Sequence, residues 1–146
     1  MFTKEEITIT VQTSIDAPIE KVWKYWTIPE HILKWNAASD TWHTIRAEND
    51  LRVCRKFSFR MEAKDGSFGF DFEGTYNKIL KHELIIYTLA DGRTVKVEFS
   101  TLNDKTSIVE TFEPEGENPV ELQRGGWLAI LDNFKKYTEQ QNKIDL

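Results

Sequence analysis

Hydrophobic residues recur at two spacings along this chain, and the two spacings predict strands and helices in different places. Residues 7–15, ITITVQTSI, alternate strictly between apolar and polar side chains, which is typical of a half-buried antiparallel strand. Residues 118–141 carry apolar side chains three and four positions apart, opposite a charged stripe, and this predicts a long amphipathic helix. At 1.5 Å per residue that helix would be roughly 30 Å long and would need a continuous surface beneath it.

Two short helices are predicted directly after the first strand. Asp16 is a candidate cap, and Pro18 suits the first turn of a helix that should end near Thr27. Its apolar positions follow the helical spacing: Ile19, Val22, Trp23 and Trp26. Pro29 should restart a second helix through Lys34, because proline disfavours helical geometry in the preceding residue but is accepted at a first position.

The middle of the chain predicts two hairpins, because Asp65-Gly66 and Asp91-Gly92 each lie between alternating runs and are typical of two-residue turns. The first turn would pair Met61 with Phe70, Phe59 with Phe72, Phe57 with Gly74 and Arg60 with Asp71. The second would pair Thr88 with Val95, Ile86 with Val97 and Leu84 with Phe99, leaving Tyr87 and Ile85 on the opposite face. Further strands are expected near residues 42–47 and 51–61 and in TSIVETFEP.

The start of the last helix allows two interpretations. Asn118, Pro119 and Glu121 have the types and spacing of a capped helix start. Gly125-Gly126 would then lie inside the helix, at a cost of about 1 kcal/mol each relative to alanine, and would need a reason such as a close backbone approach to a strand or ligand. Alternatively, the helix begins only at Trp127.

About seven strands in meander order, a helical pair after the first and one long final helix predict an α+β domain whose antiparallel sheet curls around that helix. The 146 residues, of which 40% are apolar, suit one domain spanning 1–146. No apolar run reaches the roughly 20 residues of a membrane span, and the opening segment has no apolar signal core. With Cys54 as the only cysteine, a cytoplasmic protein is expected.

Three segments carry a resemblance to a known superfamily: SIDAPIEKVWKYWTIPEHILKW, FDFEGTYNKI and GGWLAILDNFKKYTE. Together with the element order, they resemble the START/Bet v 1-like (SRPBCC) superfamily, and most closely its branch named after the C-terminal domain of the activator of the Hsp90 ATPase. The resemblance implies the helix-grip fold, in which a seven-stranded sheet wraps the C-terminal helix and leaves a cavity for apolar ligands. It implies no shared catalytic residues, so none are assigned.

The candidate ligand-binding residues are those expected to face this cavity: Trp35, Trp42, Arg55, Phe57, Phe59, Phe70, Phe72, Tyr76, Glu110, Gln123 and Trp127. Two of them are charged. On a regular strand Arg55 has the parity of Val53 and Phe57, and Glu110 has the parity of Ile108, so each is a candidate polar anchor. The alternative for Arg55 is a bulge that turns it out to water, or a structural ion pair.

Three functions compete at this stage. The first is non-catalytic binding of a small apolar or amphipathic ligand of lipid, polyketide or aromatic type. The second is an enzyme similar to polyketide cyclases or aromatases, and the third is a co-chaperone that stimulates an Hsp90-type ATPase, as the name of the branch suggests. The three histidines have no metal-binding spacing and no phosphate loop is present, so neither a metal nor a cofactor is expected. A formal charge of −5 argues against nucleic acid as the partner.

Overall fold

The computed structural model describes residues 7–144, and in these the chain forms one seven-stranded antiparallel sheet and three helices. The elements are β1 (Ile9–Ile15), α1 (Ile19–Thr27), α2 (Pro29–Trp35), β2 (Trp42–Asn49), β3 (Lys56–Ala63), β4 (Gly69–Leu80), β5 (Leu84–Leu89), β6 (Thr94–Leu102), β7 (Lys105–Phe112) and α3 (Val120–Ile144). The strands lie in the order β1-β7-β6-β5-β4-β3-β2. The predicted helix-grip α+β fold is confirmed.

The long helix α3 begins at Val120 and runs for 25 residues. The backbone N–H of Gln123 donates to the carbonyl of Pro119, so Pro119 takes the cap position, one residue after the proposed Asn118, and the alternative start at Trp127 is wrong. Its buried stripe consists of Gln123, Leu131, Phe134 and Thr138. No helix among residues 7–144, α3 included, is both long and apolar enough to cross a membrane.

Polar contacts hold α3 to the first strand at both of its ends. Near its start, the Arg124 guanidinium donates to the carbonyl of Thr10 at 3.1 Å. Near its end, the Asn142 amide donates to the carbonyl of Asp16 at 3.1 Å, and the N–H of Asp16 donates to the Glu139 carboxylate at 2.9 Å. Asp16 therefore contacts α3 and does not cap α1, whose cap position is Pro18.

The first hairpin has the predicted register, with Met61 opposite Phe70 and Phe59 opposite Phe72. Its turn is longer than expected. The N–H of Ala63 donates to the carbonyl of Phe68, which leaves four residues in the loop, and Gly66 adopts a φ of 77°. A two-residue loop between Lys64 and Ser67 and a four-residue loop between Ala63 and Phe68 both keep Met61 opposite Phe70, so the longer turn does not change the register.

The predicted register of the second hairpin is wrong by one residue. Tyr87 lies opposite Val95 and Ile85 opposite Val97, because Leu89 pairs with Arg93 and leaves a three-residue loop. Gly92 has a φ of 94° in this loop, as expected for a type I turn followed by a bulge. A one-residue shift reverses the faces of a strand. Ile85, Tyr87 and Leu89 are therefore buried, where the sequence had placed Leu84, Ile86 and Thr88.

Residues 51–55 form a turn and not the predicted start of a strand. The N–H of Arg55 donates to the carbonyl of Arg52, Cys54 has a φ of 70°, and β3 begins only at Lys56. The Arg55 side chain is 60% exposed and lies 3.9 Å from the Asp50 carboxylate, so the expectation that it points into the apolar face is wrong.

The two glycines inside α3 have no packing reason to be there. A Cβ atom added at Gly125 would meet no atom of the described residues within 4 Å, so the expected close approach of this backbone to a strand is wrong. Replacing Gly125 by alanine should therefore raise the free energy of unfolding by about 1 kcal/mol, because alanine loses less backbone entropy in a helix. Urea unfolding of the two proteins measures the difference.

Gly74 in β4 provides the contrasting substitution. A Cβ atom at this position would lie 2.7 Å from the Phe57 ring and 2.9 Å from the carbonyl oxygen of Thr88. Gly74→Ala should therefore lower the free energy of unfolding while Gly125→Ala raises it. Changes of the same sign in both variants would contradict this explanation.

Candidate functional site

A cavity of about 280 Å³ lies between the inner face of the sheet and the first half of α3. Its wall is mainly aromatic, with polar groups at a few places. It is lined by Trp26, Thr27, Trp35, Asn36, Asn49, Phe57, Phe59, Met61, Phe70, Phe72, Tyr76, Ile85, Tyr87, Arg93, Glu110, Glu115, Asn118, Gln123, Trp127 and Ile130. Such a wall suits a small, flat, largely apolar molecule.

On the sheet side, the aromatic wall is centred on Phe57. Its ring lies 5.0 Å from that of Phe59 and 4.9 Å from that of Tyr87, measured between ring centroids. On the helix side, Trp127 stacks on Phe112 at 3.9 Å and meets the edge of Phe72 at 6.0 Å. These contacts fix Trp127 between α3 and β7, so its ring forms a rigid part of the wall.

The wall near α1 and α2 is a second aromatic group. Trp26 stacks on Trp35 at 5.0 Å, and Phe134 packs under both rings at 4.9 and 4.8 Å. The indole N–H of Trp35 donates to the carbonyl of Tyr25 at 2.8 Å, so Trp35 has no free donor toward the cavity. Trp35 therefore contributes a flat apolar surface.

Glu110 is the polar group that stands out in this wall. It is 5% exposed and lies on β7 between Val11 of β1 and Val97 of β6, with Ile108 and Phe112 two residues away on the same face. No hydrogen bond or ion pair to its carboxyl group is found among residues 7–144. Burial raises its pKa from 4.5 to about 8, because a carboxylate is poorly solvated among apolar neighbours.

Two tyrosine hydroxyl groups also face the cavity. The hydroxyl of Tyr76 donates to the Asn49 side-chain oxygen at 2.5 Å, whereas Tyr87 has no hydrogen-bond partner among the described residues. Burial raises the pKa of both phenols, and the nearby Glu110 raises that of Tyr87 further. Both therefore remain neutral donors across the physiological range.

Gln123 uses its polar atoms to hold the loop before α3. Its Nε2 donates to the carbonyls of Glu115 and Asn118, at 3.1 and 2.8 Å, and its Oε1 accepts from the N–H of Glu115 at 2.9 Å. Arg93 is also engaged, because its guanidinium contacts the Asp91 carboxylate at 2.8 Å and donates to the carbonyl of Glu113. On the sheet side of the wall, Glu110 and Tyr87 are the side chains whose polar atoms have no hydrogen-bond partner among the described residues.

The candidate residues from the sequence all lie in the cavity wall except Trp42 and Arg55. Trp42 contacts Phe68 and Phe70 at the end of the first hairpin, with ring centroids about 6 Å apart. Arg55 points into solvent. Whether the residues in the wall bind a ligand stays a prediction.

The sequence interpretation missed Tyr87, Trp26, Met61 and Asn49, all of which line the cavity. Tyr87 was missed because of the one-residue error in the second hairpin. Trp26 was assigned to helix packing, which it also performs through its contacts with Trp35 and Phe134. Asn49 lies at the end of β2, beyond the strand predicted near residues 42–47, and its hydrogen bond with Tyr76 reveals its position.

Comparisons with known proteins agree with this architecture. The AHSA1-like protein from Aeromonas hydrophila is 41% identical over 92% of this chain and 94% of its own, with a TM-score of 0.87. A protein from Cytophaga hutchinsonii is 51% identical over 93% of this chain and 94% of its own, with a TM-score of 0.80. A protein from Nitrosomonas europaea shares only 17% identity but the same fold, over 97% and 99% of the two chains, with a TM-score of 0.82.

No curated protein matches the chain. A family model does. It carries the description "Activator of Hsp90 ATPase homolog 1-like protein" and matches residues 16–139, which include every helix and strand from α1 to β7 and most of α3. The chain therefore belongs to the family of proteins similar to activator of Hsp90 ATPase homolog 1.

Proposed function

We propose that this protein binds a small, largely aromatic molecule in the cavity between the sheet and α3, without converting it. The observation that carries this proposal is the cavity itself, about 280 Å³ in volume and walled by aromatic rings on both sides. A core needed only for stability would fill this space, since protein interiors are close-packed. Glu110 and Tyr87, whose side chains have no hydrogen-bond partner among the described residues, would orient the bound molecule.

Binding of aromatic fragments followed by two-dimensional amide NMR tests this function. Fragments of one or two rings should shift the amide signals of β3, β4 and the first turns of α3, which surround the cavity. Trp127→Leu should weaken the best fragment about tenfold, because a large flat surface of the wall is lost. Trp42→Leu is the matched control and should change the affinity less than twofold, since Trp42 lies outside the wall.

Equal losses in the two tryptophan variants would contradict binding in this cavity. Changes in amide signals that are confined to the outer face of the sheet would contradict binding in the cavity as well.

The position of Glu110 favours a second candidate, an enzyme of the cyclase or aromatase kind. A carboxyl group with a pKa of about 8 exchanges protons readily near neutral pH, and the Tyr87 hydroxyl faces the same space. Mass spectrometry of a bound molecule before and after incubation separates the two functions. A carrier returns the molecule unchanged, whereas an enzyme returns a product.

A co-chaperone function has support from the family description alone. None of the contacts described above identifies a surface for a chaperone. The role therefore stays a prediction from the sequence, as does a cytoplasmic location.

A further inference from the structure

We propose that the molecule bound in this cavity carries a protonated amine on an aromatic body, and that its ammonium group pairs with the carboxylate of Glu110. This inference rests on the proposed function, because it names the ligand class for the same cavity. It follows from three features of the wall: the lack of a partner for Glu110 and of an unpaired cation among the described residues, and the aromatic surroundings.

The isolation of Glu110 shows that its carboxyl group has no structural use within the described part of the chain. Its neighbours across the sheet are Val11 and Val97, and its neighbours along the same face of β7 are Ile108 and Phe112. An unpaired buried carboxyl group destabilises a fold unless another molecule supplies a partner. The group therefore faces the cavity as an unused acceptor.

The other charged groups in the wall exclude an anionic ligand. Arg93 pairs with Asp91 and donates to the carbonyl of Glu113, and Glu115 accepts hydrogen bonds from the N–H groups of Glu117 and Asn118. An anion would meet Glu110 and Glu115 with no unpaired cation in the described wall to balance them. The electrostatics of the cavity therefore favour a positive charge.

The aromatic wall favours the same charge. The faces of aromatic rings are electron-rich and attract a cation within about 6 Å of the ring centre, with more effect when water is excluded. The wall supplies such rings on both sides, among them Phe57, Phe72, Tyr87 and Trp127. A neutral hydroxyl group could use the Glu110 carboxyl, but it would gain nothing from these faces.

Glu110 is also the group that changes charge in the relevant pH range. The other titratable groups that face the cavity are Tyr76 of β4, Tyr87 of β5, Arg93 in the following turn and Glu115 in the loop before α3. Burial raises the pKa of both tyrosines, and hydrogen bonds lower the pKa of Glu115. Tyr76, Tyr87 and Glu115 therefore do not change charge between pH 6 and 8. The described parts of β1, β3, β6 and α3 place no ionisable side chain in the wall.

A matched pair of probes tests the inference by isothermal titration calorimetry: naphthylethylamine and naphthylethanol, which share one shape and differ in charge. At pH 7 the native protein should bind the amine about tenfold more tightly. Glu110→Gln should lower the affinity for the amine about tenfold and leave that for the alcohol within twofold, which also shows that the variant is folded. Glu98→Gln should change neither, because Glu98 lies on β6 with its side chain about half exposed beside Lys96.

The pH dependence gives a second readout. The affinity for the amine should rise about fivefold from pH 6 to pH 7, because the carboxylate fraction of a group with a pKa of about 8 rises about tenfold while the protonated form keeps the weaker affinity of the Glu110→Gln variant. The affinity for the alcohol should stay constant over this range.

The results separate the two proposals. Equal affinities for amine and alcohol, unaffected by Glu110→Gln, would overturn the amine inference and leave binding in the cavity intact. If neither probe binds, the amine inference is overturned. The proposed function is overturned as well only if the aromatic fragments also leave the amide signals of the cavity wall unchanged.

Discussion

Replacing Glu110 by glutamine should stabilise the protein at neutral pH. Burial raises the pKa of Glu110 from 4.5 to about 8, so between these values the unfolded chain releases a proton that the folded protein keeps. The folded state then loses stability as the pH rises, and the loss is complete above the folded pKa. Since one pKa unit corresponds to about 1.36 kcal/mol, the native protein should lose about 2 kcal/mol between pH 5 and pH 7 that the variant does not lose.

Urea unfolding of the native protein and of Glu110→Gln at pH 5, 6, 7 and 8 measures this difference directly. Glu98→Gln is the control, because its carboxylate lies on the outer side of β6 within 3.0 Å of Lys96. The free energies of unfolding of the native protein and the Glu110 variant should diverge as the pH rises. Two curves that stay parallel from pH 5 to pH 8 would show that Glu110 ionises in the folded protein as it does in the unfolded chain.

Phe134→Ala should be the most destabilising of the substitutions considered. Phe134 is 0% exposed in the middle of α3, and its ring supports the stacked pair Trp26 and Trp35. Truncation of a fully buried phenylalanine costs about 3–5 kcal/mol, through lost transfer energy and the space left behind. In a chain of this size the loss should lower the melting temperature on the order of 10 °C.

Phe68→Ala is the matched control, since Phe68 is 64% exposed at the end of the first hairpin. It should change the free energy of unfolding by no more than about 0.5 kcal/mol. Circular dichroism during thermal and urea unfolding measures both variants. A loss below about 1 kcal/mol for Phe134→Ala would mean that α3 closes around the gap, and that this helix is not held as firmly by the sheet as its contacts indicate.

The fold was largely predictable because its signals are local and agree with one another. The alternation in residues 7–15, the prolines at the starts of α1 and α2, and the spacing along α3 each predict one element without reference to the others. The register of the first hairpin was predicted correctly because only one register lets its aromatic residues share a face and sets Arg60 against Asp71.

The second hairpin was not predictable in the same way. In Leu84–Leu89, LIIYTL, both alternating sets are largely apolar, so hydrophobicity does not choose the buried face. The choice then depends on the turn, and Asp-Gly is compatible with loops of two and of three residues. Backbone geometry at Gly92 decides it, and that geometry follows from the packing of the whole sheet.

The candidate site shows the same division. The phenylalanines of β3 and β4 were identified because the predicted register of these strands is correct. Arg55 was misplaced because residues 51–55 contain no sequence signal for a turn with a left-handed residue at Cys54. Glu110 was identified as a candidate only because the alternation along β7 places it on the same face as Ile108. Its lack of a partner among residues 7–144 is a property of the folded sheet and has no local signal in the sequence.

The three-residue loop between β5 and β6 also determines how the inner face of β5 responds to a deletion. Deleting Ala90 would leave Asp91-Gly92 as a two-residue turn with Leu89 still opposite Arg93, so the inner face would be unchanged. Deleting Thr88 would instead move the preceding part of β5 by one position, and Leu84 and Ile86 would replace Ile85 and Tyr87 on the inner face. A one-codon deletion inside this strand would thus exchange several side chains of the cavity wall at once, whereas point mutations alter the wall one residue at a time.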